Sequence, residues 1–102
     1  MGVAGGIKGS VKNLVFMKDM MADVAPGSTW SAFGVGACAM EIMYAAIAMG
    51  GHIRVGMEDN VLYKKGAIAE NNMVFVARAK RLIEEFGCEA ATPTEAREIL
   101  NL

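Results

Sequence analysis

The sequence predicts an α/β chain in which parallel strands alternate with crossover helices. Three observations carry that prediction. Runs of strand character, 29–35 and 50–60, alternate with helical runs along the chain, an order that implies parallel pairing through right-handed crossovers. The helical run between them, 37–49, is apolar nearly all round, as suits a helix packed against a sheet and other helices at once. Each strand run ends in residues better suited to a site than to packing, Gly34-Val35-Gly36 after the first and Glu58-Asp59-Asn60 after the second. Two or three parallel strands with flanking helices do not make a closed unit, because a parallel sheet needs several neighbours and cover on both faces. Residues 1–102 are therefore expected to form one partial domain, the C-terminal part of a (β/α)8 barrel, with any site at the C-terminal ends of its strands.

The elements follow in order. Residues 1–9 hold four glycines and no periodic pattern, and read as the end of a strand running into a loop. Ser10 can cap a helix from Val11 to about Met21, with Leu14, Met17, Met20 and Met21 on one side. Pro26-Gly27 marks a turn. Trp30 is expected to pack at the start of the first strand, and the nine methionines to fill helix cores. Gly50-Gly51 stops the apolar helix. Residues 61–66 read as a loop. A helix follows over roughly 72–86, with Phe75, Ala79, Leu82, Ile83 and Phe86 as its apolar stripe, and Arg78, Lys80, Arg81, Glu84 and Glu85 opposite. Lys80–Glu84 and Arg81–Glu85 have the spacing of weak helical ion pairs. Gly87 ends that helix. Thr92-Pro93-Thr94-Glu95 starts a short last one through a capping box.

Composition narrows the function classes. Apolar residues make up 54% of the 102 residues and the formal net charge is -1, which suits neither a nucleic-acid footprint nor a disordered tail. Cys38 and Cys88 form no CxxC pattern and read as reduced thiols. No signal peptide is recognisable, and the longest apolar run is too short for a bilayer, which takes about 20 residues. The expectation is a soluble, cytoplasmic chain without nucleic-acid or membrane partners.

The stretch Gly50-Gly51-His52-Ile53-Arg54-Val55-Gly56-Met57-Glu58-Asp59-Asn60 organises the rest. As a strand it puts Ile53, Val55 and Met57 on one face and His52, Arg54, Gly56 and Glu58 on the other. Polar side chains facing inward are costly unless paired or used. Chemistry at the strand end and an ion pair that only ties the strand down are both open on this pattern. Gly34-Val35-Gly36 similarly reads either as an anion-facing turn or as a plain tight one.

That central run closely resembles the C-terminal signature of the β-keto acid cleavage enzymes, a family with a member in lysine fermentation. The likeness extends to Gly2-Val3-Ala4-Gly5-Gly6-Ile7, Trp30-Ser31-Ala32-Phe33-Gly34-Val35-Gly36, Lys65-Gly66 and Ala91-Thr92-Pro93-Thr94-Glu95-Ala96-Arg97-Glu98-Ile99-Leu100, in family order. The resemblance implies the final third of a (β/α)8 barrel, from the end of strand six through the last helix. It implies a transferase that condenses a β-keto acid with acetyl-CoA as co-substrate, giving acetoacetate and a new CoA thioester. It implies a divalent metal, zinc, bound by two histidines of an early strand and a late glutamate. By position, Glu58 would be that glutamate, Asp59 the acid/base that starts carbon–carbon cleavage, and Arg54 its electrostatic partner.

The chain departs from that pattern in two respects. It has one histidine, His52, so the family's ligand pair is missing. His52 would lie about 20 Å from Glu58 along a straight strand at roughly 3.3 Å per residue, and reads as structural. Arg54 and Asp59 would also face opposite ways on a regular strand, so they can meet only if the strand ends or bends near Glu58. Zinc binding and turnover then require the missing ligands from a complementing N-terminal segment. The alternative is an inactive remnant or structural module that self-associates, a homo-oligomer formed through its open sheet edges.

Overall fold

In the computed structural model, which describes residues 1–102, Ser10 caps the first helix as its sequence suggests. Its hydroxyl accepts from the Asn13 N–H at 3.3 Å, and α1 runs Val11–Val24. The helix continues nearly a turn past Met21 and stops just before Pro26-Gly27, where Gly27 has φ +80. The strand run that follows forms ladder hydrogen bonds only over β1 (Ser31–Ala32). A 3₁₀ turn, Gly36–Cys38, then leads into α2 (Ala39–Ala48).

β2 (His52–Ile53) pairs parallel with β1, Ser31 opposite His52 and Ala32 opposite Ile53, so the expected strand–helix–strand unit is present. The ladder is shorter than the extended chain on either side. Gly56 begins a turn in which its carbonyl accepts from the N–H groups of both Asp59 and Asn60. The strand therefore bends before the carboxylates, as contact between Arg54 and Asp59 requires.

Residues 61–66 are not a simple loop. β3 (Leu62–Lys64) and β4 (Ala67–Ile68) form an antiparallel hairpin, closed by Lys65-Gly66 with Gly66 at φ +77. Strand character is hidden in so short a run, because Lys64 and Lys65 break its apolar pattern. Asn60 starts the hairpin by accepting from Leu62 N–H and donating to the Leu62 carbonyl. α3 (Asn72–Glu85) and α4 (Pro93–Leu100) complete the chain. The capping box at Thr92 and Glu95 is fully formed.

α2 is the axis of the core. One side packs Ile42 and Ala46 against Leu14 of α1, with Trp30 and Ala32 alongside. The other packs Met43 and Ile47 against Ala79 and Leu82 of α3, flanked by Ile53 and Val55. This is the two-sided burial that an all-round apolar helix needs. Trp30 lies at the strand start as expected, its ring so close over Gly51 that a Cβ there would come within 2.5 Å of it.

Three packing expectations change. On the α1 stripe only Leu14 is buried, while Met17 and Met20 are about half exposed. Met43 is the only fully buried methionine; Met40 and Met49 pack partly buried against the core, while nothing covers the outer face of α1. On α3, Arg78 is buried and Phe86 exposed, the reverse of the sequence assignment. Arg78 follows Phe75 by three residues and precedes Leu82 by four, so it shares their face. Of the two anticipated helical pairs, Lys80–Glu84 stands at 4.0 Å, and Arg81–Glu85 is not among the ion pairs formed.

Candidate active-site cleft

Three elements converge where the chain leaves β2. Arg54 rises from the strand end, Glu58 and Asp59 sit on the turn behind it, and Phe33 comes from the end of β1. The Arg54 guanidinium lies over the Phe33 ring, 4.5 Å from its centroid, and its hydrogen-bonding edge reaches the carboxylates. Nη2 donates to Asp59 Oδ1 at 3.1 Å, and Nε lies 3.0 Å from Asp59 Oδ2. This is the two-point contact for which arginine is suited. Glu58 Oε1 is held more loosely, 3.3 Å from Nη2.

The two carboxylates differ in exposure. Asp59 keeps only 11% of its side-chain surface, whereas Glu58 keeps 57%. Asp59 Oδ2 is buried without an aligned hydrogen bond, despite the nearness of Arg54 Nε. An ionised oxygen in that state depends on the arginine charge. Glu58 folds back over Gly56, where an added Cβ would come within 2.2 Å of its carboxylate.

The backbone turn is tied on two sides. Gly36 N–H donates to the Asp59 carbonyl at 2.8 Å, and Val35 N–H to the Met1 carbonyl at 2.9 Å. Gly34-Val35-Gly36 thus spends two of its N–H groups within the fold, which is the tight-turn reading of that motif. A Cβ on Gly34 would meet the Cys38 carbonyl at 2.7 Å, so the loop also lies hard against the start of α2. From the other side, Asn72 Oδ1 accepts from Met57 N–H at 2.7 Å.

Sequence reasoning passed over Asn72, Phe33, Tyr63 and Arg78 as site residues. Arg78 stacks over the Tyr63 ring at 3.4 Å and donates to Met40 Sδ at 3.1 Å. Arg78, and after it Arg81, draws the Tyr63 hydroxyl below its usual 10.0. Arg78 approaches the ring face-on and no aligned hydrogen bond joins the two side chains, so the nearness of its charge lowers the Tyr63 value. Arg78, Arg54 and Asp59 line one cavity of about 30 Å³. The signal for Arg78 was its position within the apolar stripe of α3.

In front of Glu58 and Asp59 opens a larger cleft, about 680 Å³, walled by the Gly36 loop and the β3–β4 hairpin. His52 is absent from it. It lines a separate hollow with Trp30 and residues of α4. No three His, Cys, Asp or Glu side chains stand together as a metal site. Glu58 can supply one donor of a zinc set, and zinc sites use three or four protein ligands. The residues of this chain do not by themselves make up such a set.

A model of beta-keto acid cleavage enzymes matches residues 1–102. The chain belongs to the beta-keto acid cleavage enzyme family. The 3-keto-5-aminohexanoate cleavage enzyme of Fusobacterium nucleatum subsp. nucleatum is 48% identical over 93 residues, covering 91% of this chain and 33% of that protein. The enzyme of the same name from Acetoanaerobium sticklandii is 41% identical over all of this chain and 36% of its own length. The 3-oxoadipate:acetyl-CoA acetyltransferase of Cupriavidus necator is 32% identical, again with 36% of its length covered. The chain thus spans about a third of the beta-keto acid cleavage enzymes it matches. No helix is long and apolar enough to cross a membrane.

Proposed function

We propose that this chain supplies the last part of a (β/α)8 barrel that joins a β-keto acid to acetyl-CoA, yielding acetoacetate and a new CoA thioester. The observation that carries the reading is the Arg54 clamp on a nearly buried Asp59, beside the exposed Glu58 and open to the cleft. Enolate chemistry needs a general base within reach of the acidic carbon. Asp59 takes that role: its carboxylate accepts the proton from the carbon between the keto and carboxylate groups, with the Arg54 charge beside it. Asp59 returns that proton at a later step, and the Arg54 guanidinium beside it can stabilise negative charge developing nearby.

Glu58 is assigned as one ligand of a divalent metal ion, zinc by the family resemblance, with the remaining ligands from residues outside this chain. The test is complementation with a polypeptide covering the first two thirds of the Fusobacterium relative. Acetoacetate formation from a β-keto acid and acetyl-CoA is expected only in the mixture. Asp59→Asn and Arg54→Gln should each lower it by about 10²-fold or more, the scale of a lost acid/base group. Full turnover in either variant would refute the role assigned to that residue.

A second reading, a module that self-associates, is favoured by the uncovered apolar face of α1, where Phe16, Met17 and Met20 are exposed.

A further inference from the structure

From the hairpin beside the cleft we infer that Lys64 and Lys65 bind the phosphate end of the coenzyme A portion of an acyl-CoA, whose pantetheine arm runs along the cleft toward Glu58 and Asp59. This rests on the acyl-CoA reaction proposed for the chain and adds an orientation to it. The cleft wall carries both signs of charge. Glu58 and Asp59 lie on the turn before the hairpin and Lys64 and Lys65 at its tip, with Val61 and Leu62 between them along the chain, and all of them line the cleft. A volume of about 680 Å³ falls in the range of small-molecule sites.

Coenzyme A has the same polarity: a reactive thioester, a mostly apolar arm and several phosphates. Phosphates laid against the carboxylate end would meet like charge, so only one orientation is favourable. Both lysines are free to bind, because the ion pairs of the chain join Arg54 to Glu58, Arg54 to Asp59 and Lys80 to Glu84. Lysine ammonium groups are good point-charge ligands for phosphate. The hairpin that carries them is anchored. Between them and the start of the hairpin, Tyr63 packs on Phe75, ring centroids 6.2 Å apart, and lies under Arg78.

Calorimetric titration of the folded chain with coenzyme A tests the assignment, with circular dichroism confirming the fold of each variant. The Lys64→Gln/Lys65→Gln double variant is expected to bind coenzyme A at least ten-fold more weakly. Lys64→Arg/Lys65→Arg should keep the affinity, and Lys12→Gln, on exposed α1, should leave it unchanged. The inference is overturned if the wild-type chain does not bind coenzyme A, if the glutamine variant binds as well as wild type, if the arginine variant fails like the glutamine one, or if Lys12→Gln weakens binding equally. Asp59→Asn should still bind. Lysine-dependent binding together with full turnover of Asp59→Asn in the complemented mixture would sink the catalytic reading and leave this one standing.

Discussion

Gly56 decides where Glu58 points. It is buried, and its missing Cβ is the space that the Glu58 carboxylate occupies. Alanine would push that carboxylate away from its 3.3 Å contact with Arg54. The atoms met are the tip of a flexible side chain, so unfolding free energy should change by under about 1 kcal/mol. Turnover in the complemented mixture should nevertheless fall toward that of Glu58→Gln. A Gly56→Ala variant with normal turnover would mean that Glu58 is positioned by something else. Asp59 differs because it is almost enclosed, and its placement comes from backbone ties by Gly36 and the turn rather than from its own rotamer.

At the scale of elements, α4 is the helix most fully specified by local sequence. Thr92 accepts from the Glu95 N–H at 3.3 Å, and Glu95 Oε2 accepts from the Thr92 N–H at 2.8 Å. Thr92→Ala should cost about 1 kcal/mol of local helix stability, seen as faster amide exchange confined to residues 93–100. The Thr92 N–H bond, and after it the Thr92 hydroxyl donating to Glu95 Oε2 at 2.7 Å, hold the Glu95 carboxyl below its usual 4.5. A lowered folded value means the contribution is complete above 4.5 and is lost as pH falls through that lower value. Backbone carbon shifts across α4 should therefore move toward coil values on acidification below about 4.5, and Glu95→Gln should flatten the response. If wild type and Glu95→Gln titrate alike, the box does not stabilise α4. The hairpin and α3 depend less on local code, since Tyr63, Phe75 and Arg78 fix one another only once the two elements meet.

Across the whole molecule, surface is the deciding quantity. The chain exposes 6980 Å², against about 5,500 Å² expected for a folded protein of its mass. Its radius of gyration, 14.1 Å, exceeds the roughly 13 Å of a domain of this length. The excess lies where a parallel sheet of only two strands leaves both edges open and where α1 has no cover. Such surfaces drive association. Sedimentation should show dimers or larger species at micromolar concentration. Phe16→Ser, on a side chain 57% exposed, should shift them toward monomer with little change in the melt. A wild-type chain that stays monomeric throughout would contradict this account.

Local pattern and motif were enough to establish the alternation of elements, the caps at Ser10 and Thr92, the two-sided burial of α2 and the family, since each is written in a short run of residues. They also named Arg54, Glu58 and Asp59. That these three meet is a product of the folded arrangement, because strand parity set Arg54 and Asp59 apart until the Gly56 turn reversed the chain. The same arrangement buried Arg78, paired 62–64 with 67–68 and left the α1 stripe bare. Those outcomes depend on which surface arrives opposite each residue, and a one-dimensional pattern records a residue's own preference but not its neighbour across the fold.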